Sequence, residues 1–119
     1  MKIYIAGKWE THEHIKTYAD KLRALGHTIT FPWFERHLGD TPLPVAAMED
    51  TRGVRESEVC IFVFQWVLPY SGAMSELGMA IALDKRVIII GHGGDNNVFT
   101  NFPLVEHVES FEEACKCLE

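Results

Sequence analysis

Two unbroken apolar runs constrain this chain more than anything else in it: Val59-Cys60-Ile61-Phe62-Val63-Phe64 and Val87-Ile88-Ile89-Ile90. A strand with one wet face alternates apolar and polar residues. One with no polar position must be covered on both faces, as the central strands of a parallel sheet are. The rest of the chain supplies the covers. Ile15, Tyr18, Ala19, Leu22 and Leu25 fall at helical spacing, predicting a helix from Thr11 or His12 to Leu25 that Gly26 closes. Residues 2–6 and 27–31 read as strands, and residues 32–44 as an excursion rich in aromatics and prolines. A helix is expected over 45–57. Residues 69–72 turn into another over 73–83, with Ser71 as its N-cap. Residues 86–91 read as a strand, 92–97 as a glycine-rich loop, and 110–118 as a terminal helix opened by a Ser110-x-x-Glu113 capping box. The expected fold is α/β, a single domain over residues 1–119. Its core is a small doubly wound parallel sheet of the flavodoxin or Rossmann-like kind, flanked by helices.

Composition narrows the function classes. The formal charge is −6, and the basic residues stand singly along the chain, so no nucleic-acid partner is expected. No apolar stretch approaches the roughly 20 residues of a membrane span, and the first strand is too short for a signal peptide core. A cytoplasmic protein with no membrane partner follows. Cys60, Cys115 and Cys117 form neither a disulfide framework nor a metal set, and His12 and His14 diverge at a helix start. Gly91-x-Gly93-Gly94 follows a late strand and precedes no clear helix, so it is not a dinucleotide loop. No metal or cofactor is expected. His92, placed just after a central strand, is the one histidine positioned near a ligand crevice.

That crevice lies beyond the carboxyl ends of the strands. It gathers Gly7, Lys8, Trp9 and Glu10 from the first loop, and Tyr70, Ser71 and Gly72 from the loop after residue 64. Behind the second group stands Glu76, the only acid in the apolar segment 71–83. A buried, unpaired carboxylate costs several kcal/mol, roughly, so Glu76 is paired, protonated or chemically employed. The positive end of its helix favours the ionised form by about 0.3–1 kcal/mol. Its ordinary reading is a helix residue that reaches solvent or pairs with Arg86 or Lys8. Asp50, beside Glu49 and near Arg52, reads by default as part of a solvated face. In the excursion, Trp33, Phe34, Arg36 and His37 either touch a substrate or pack the loop. Met74, Leu77, Met79, Ala80, Ile81 and Leu83 cover nearly every side of the Glu76 helix, more than one sheet face can bury, and predict a homo-oligomer.

Taken together, Tyr4-Ile5-Ala6-Gly7-Lys8-Trp9, Asp50, Gly72-Ala73-Met74-Ser75-Glu76-Leu77-Gly78-Met79-Ala80 and Lys85-Arg86-Val87-Ile88 resemble the nucleoside 2-deoxyribosyltransferase family. Relatives of that family include the 2′-deoxynucleoside 5′-phosphate N-hydrolases. The resemblance spans nearly the whole chain, and residues 97–99 and 111–114 are similar to short, phage-like members. It implies retaining chemistry on a small-molecule nucleoside or nucleotide without a cofactor, in which Glu76 attacks C1′ of the sugar and the base departs. Asp50 matches the second acid. Tyr4 matches the hydroxyl that orients the nucleophile and holds it ionised, and Trp9 an aromatic of the base pocket. A 5′-phosphate would meet Lys8, Ser71 and the N–H groups at Gly72. Asn96 or Asn97 would complete the site of a neighbouring subunit in a homodimer or higher oligomer. Two departures bear on the branch: Tyr70 stands where transferases tend to carry aspartate and hydrolases serine, and no arginine precedes Arg23. The function is transfer or hydrolysis at an N-glycosidic bond, with a non-catalytic nucleotide-binding module of the same fold as the alternative.

Overall fold

The two apolar runs lie where their lack of polar positions demands. In this computed structural model, which describes residues 1–36 and 39–119, they form β3 (Val59–Val63) and β4 (Arg86–Ile90). Every residue of β3 is buried, and only Arg86 of β4 is not. They pair with β1 (Lys2–Ala6), β2 (Thr28–Ile29) and β5 (Glu106–Val108) in one parallel sheet of order β2-β1-β3-β4-β5. The order reverses between β1 and β3, the switch point where open α/β sheets leave a crevice.

Helices cover both faces. The connections after β1, β3 and β4 run to neighbouring strands, and right-handed crossovers put successive helices on opposite faces where the winding direction changes. On one face α2 (Leu43–Glu56) packs against α3 (Gly72–Ala82), and on the other α1 (His12–Ala24) meets α4 (Phe111–Cys117). The Tyr18 and Phe111 rings stack there with centroids 4.3 Å apart.

Local chemistry explains most helix boundaries. Gly26, at φ +95°, ends α1: its N–H reaches the Arg23 carbonyl and the His27 N–H the Leu22 carbonyl, the paired closure of a Schellman motif. Helix α2 begins two residues earlier than the expected 45, because Pro44 fits the first turn, where its missing N–H has no intrahelical partner to lose. The capping box at α4 forms: the Ser110 hydroxyl accepts from the Glu113 N–H at 3.2 Å, and the Glu113 carboxylate accepts from the Glu109 N–H. Ser71 departs from expectation. It adopts an αR conformation and makes no capping bond with its side chain, whereas a capping serine needs an extended backbone to turn its hydroxyl onto the first turn.

Two further differences concern the edges. The strand expected over 27–31 contracts to Thr28–Ile29, since the chain turns at Pro32 into a short 3₁₀ helix, Trp33–Glu35. Beyond β4, the chain makes another 3₁₀ turn, Phe99–Asn101, and then β5, an element the sequence did not announce. A bidentate pair holds β5 in place: Arg86 Nε and Nη2 donate to the Glu106 carboxylate at 2.7 and 2.8 Å. The loops after β3 and β4 are also joined backbone to backbone, the Gly93 N–H donating to the Phe64 carbonyl at 2.6 Å.

Candidate active site

The crevice at the switch point is built from four chain segments. The turn after β1 supplies Gly7, Lys8 and Trp9; the loop before α3 brings Tyr70, Ser71 and Gly72; Asp50 arrives from α2 and Glu76 from α3. These residues surround a polar cleft of about 260 Å³, together with Glu10, Trp33 and Ala73. Every site residue expected from the sequence except Tyr4 and Asn97 lines this cleft.

Tyr4 acts from below. Its side chain is wholly buried in the sheet, and its hydroxyl donates a short hydrogen bond to Oε2 of Glu76. Alternation along β1 makes this contact available, because Tyr4 faces the α2–α3 side. Neither Arg86 nor Lys8 pairs with Glu76: Arg86 is engaged by Glu106, and Lys8 contacts Glu10 at 3.5 Å and the Pro69 carbonyl at 2.8 Å.

Burial dominates the electrostatics. It pushes the Glu76 carboxyl up to about 8, with the nearby Asp50 charge adding to the rise and the Tyr4 hydrogen bond and Arg36 opposing it. The Tyr4 hydrogen bond and the helix terminus, each expected to favour the ionised form, are therefore opposed by burial. Desolvation outweighs one hydroxyl and a partial dipole charge. The Tyr4 phenol itself is raised, first by burial and then by Glu76, so it remains a donor. Asp50 is raised by burial while Arg36, hydrogen-bonded to it, pulls the other way.

Asp50 is not part of a solvated face. Arg36 Nη2 lies 3.3 Å from its Oδ2, and Arg52 pairs instead with Glu56 one turn on. Nothing in the sequence ties Arg36 to Asp50, 14 residues away, because the contact depends on how the excursion folds back. Trp33 is fixed as a wall: its indole N–H donates to the buried Ile5 carbonyl at 2.7 Å. Beyond Trp9 and Trp33, which it shares with the cleft, a second and more apolar cavity of about 580 Å³ opens toward Arg36, Pro42 and Leu43. Phe34 is buried in the core instead, and His37 lies outside the described residues.

The remaining candidates are held by their own contacts. Tyr70 packs its ring on Phe64 with centroids 4.5 Å apart and donates to the Trp66 carbonyl at 2.7 Å, so it contributes a rigid wall. Asn97 accepts from the Phe99 N–H at 2.8 Å within its own loop. His92 bridges Asp95 and Glu109 at the surface. Trp9 stacks on His12 at 4.0 Å. Among the described residues, no three of His, Cys, Asp and Glu converge as metal ligands, and no helix is long and apolar enough to cross a membrane. All three cysteines are free thiols.

Comparison with known proteins accords with this geometry. No curated protein matches the chain. Among solved structures, a 2-deoxyribosyltransferase from the psychrotolerant bacterium Bacillus psychrosaccharolyticus superposes with a TM-score of 0.74 at 19% identity, over 96% of this chain and 90% of that one. The CMP N-glycosidase BcmB of Clostridium botulinum gives 0.69 at 14% identity, over 99% of this chain and 98% of that one. At such identities the likeness carries the fold. The sequence model described as nucleoside 2-deoxyribosyltransferase reaches further, matching residues 3–111, from β1 into the first turn of α4. By that match the chain belongs to the nucleoside 2-deoxyribosyltransferase family.

Proposed function

We propose that this protein breaks the N-glycosidic bond of a 2′-deoxynucleoside or its 5′-monophosphate by a retaining mechanism, with Glu76 as nucleophile. The observation that carries the reading is the Tyr4 hydroxyl bonded to Glu76 from beneath a cleft that Asp50 also lines. Glu76 attacks C1′, forming a glycosyl ester as the bond to the base breaks. Asp50 donates a proton to the departing base, and water or a second base then releases the sugar. The reactive form carries one proton on Asp50 and leaves Glu76 ionised. Tyr4 is a positioning residue: its hydrogen bond turns one carboxylate oxygen downward and leaves the other for the sugar.

The shape of the site supports an assignment of its parts. A 260 Å³ polar cleft beside Glu76 suits a sugar, and the apolar cavity past Trp9 and Trp33 suits a flat base, which stacks on indole rings. Lys8, the Ser71 hydroxyl, free of any capping bond, and the first N–H groups of α3 form an anion site for a 5′-phosphate. Glu10, 3.5 Å from Lys8, offsets part of that charge. We read the protein as cytoplasmic and as a homodimer. Met48 on α2 and Val98, Phe99 and Leu104 beyond β4 are exposed apolar residues, and a second copy would cover them and carry its Asn97 loop to the cleft.

The test is incubation with a panel of deoxynucleosides, ribonucleosides and their monophosphates, with and without a free acceptor base. Base release from at least one, abolished in Glu76→Gln, is the expected result. Acceptor-dependent exchange identifies a transferase. No release from any, with the fold intact, rejects catalysis in favour of a nucleotide-binding module.

A further inference from the structure

Among the described residues, Arg36 is the cation paired with Asp50, and it is shared. Its Nη2 lies 3.2 Å from Oδ1 and 3.3 Å from Oδ2 of Asp50, while its Nη1 lies 3.6 Å from Oε1 of Glu49. One guanidinium thus serves two carboxylates, and neither contact is a well-aligned bidentate fork. Among the described residues, the buried side-chain polar atoms left without a hydrogen bond are Nη1 of Arg36 and Oδ1 of Asp50, one on each side of this pair. The guanidinium is anchored over the Phe31 ring, 5.2 Å from its centroid, and lines the apolar cavity beside Trp9 and Trp33. A group so placed touches the wall of the base cavity on one side and the acid of the cleft on the other.

We propose that Arg36 is a positioning residue that partitions the proton between Asp50 and Glu76, with Glu49 tempering it by drawing on the same guanidinium. The proposal rests on the reading of Asp50 and Glu76 as the working acids, and deepens it. Departure of the base needs a protonated Asp50 and an ionised Glu76. Arg36 stabilises the negative form of Asp50 directly and of Glu76 at longer range, so it sets the pH window in which the reactive form exists. The charged and titratable groups around Asp50 are Arg36, Glu49 on its own helix, Tyr4 from β1 and Glu76 from α3, with Lys8 and Glu10 lining the same cleft; Cys60 of β3 lies near Glu76 in turn. Of these only Arg36 is both positive and paired with Asp50.

Titration of the ¹³C-labelled side-chain carboxyls of Asp50 and Glu76 by NMR tests the proposal without any substrate. In Arg36→Gln, Asp50 is expected to titrate about one to three pH units higher than in the parent protein, with Glu76 moving the same way by less. Arg36→Lys restores the charge and returns Asp50 toward the parent value. Glu49→Gln moves it the opposite way, downward, because the Glu49 charge that raises Asp50 is gone and the guanidinium then belongs to Asp50 alone. A purely structural role for Arg36 predicts loss of stability with Asp50 unmoved, and that result overturns the proposal. Should Arg36→Gln fail to fold, Arg36→Met, which keeps an apolar stem over the Phe31 ring, decides: an unchanged Asp50 titration there overturns it equally. Once a substrate is in hand, both limbs of the pH–rate profile of Arg36→Gln are expected to shift to higher pH and those of Arg36→Lys to return. If no nucleoside is cleaved, the proposed function fails while the titrations still decide the role of Arg36.

Discussion

Gly53 and the Tyr4 ring are in contact at a distance that leaves no room for a side chain: a β-carbon at residue 53 would stand 2.8 Å from both Cδ1 and Cε1 of Tyr4. Helix α2 therefore presses bare backbone onto the ring that orients Glu76. Gly53→Ala is expected to push the phenol off its line. Overpacking of this kind destabilises by about 1–3 kcal/mol, and a misplaced orienting group lowers kcat by on the order of 100-fold. Melting temperature and steady-state kinetics on the same samples check this; unchanged kcat would mean that the ring relocates without disturbing Glu76.

Tyr4→Phe removes the one hydrogen bond that favours the ionised Glu76. Since that bond already lowers a carboxyl that burial nevertheless holds at about 8, its loss raises the titration further. The acid limb of the pH–rate profile should move to higher pH, with kcat at pH 7 falling by roughly 10- to 100-fold and KM little altered. A fall in rate with the limb unmoved would assign Tyr4 to packing alone.

Glu76 also makes stability depend on pH. Its folded-state value of about 8 exceeds its ordinary value of 4.5, so between these the folded protein binds the proton more tightly than the unfolded chain. Its contribution is fully present below about 4.5 and is lost as pH rises through about 8. Glu76→Gln keeps the shape and the acceptor for Tyr4 without the charge. Urea midpoints should coincide for parent and variant at pH 4 and diverge by pH 8.5, the Glu76→Gln variant being the more stable by a few kcal/mol, roughly. Parallel midpoints across the range would show that Glu76 is hydrated in solution.

Trp33→Phe should act on both fold and site. It leaves the buried Ile5 carbonyl without the indole N–H, which costs about 1–3 kcal/mol, and it frees one wall of the apolar cavity proposed for the base. KM is expected to rise more than kcat falls, and the comparison of nucleosides with large and small bases should flatten. Equal losses in kcat and kcat/KM would place Trp33 in the chemical step instead.

Much of this architecture was legible because burial leaves a strong trace in sequence. Runs such as Val59–Val63 have a single solution, and Glu76 stood out as an acid where none belongs. Tyr4 was found through its resemblance, and strand alternation then explained how it reaches Glu76. What escaped depends on contacts between distant segments. Strand β5, Glu106-His107-Val108, is short and polar at two of its positions, and is held by Arg86 rather than by apolar content of its own. Arg36 meets Asp50 only because the chain doubles back after Pro32. The ionisation of Glu76 is likewise a property of its surroundings, and no pattern of residue types reports how much water remains around a carboxyl.

The bond from the Gly93 N–H to the Phe64 carbonyl makes the loops after β3 and β4 a single mechanical piece. A β-carbon at residue 91 would stand 2.7 Å from Cα of Gln65, so the two chains are spliced side by side along their length. The pocket wall formed by Tyr70, Ser71 and Gly72 is thus braced by a segment that supplies none of its lining. Inserting or deleting a residue between Gly91 and Asn97 will be felt as a change in the mouth of the cleft, as though a hinge had been cut into a frame from outside the window it holds.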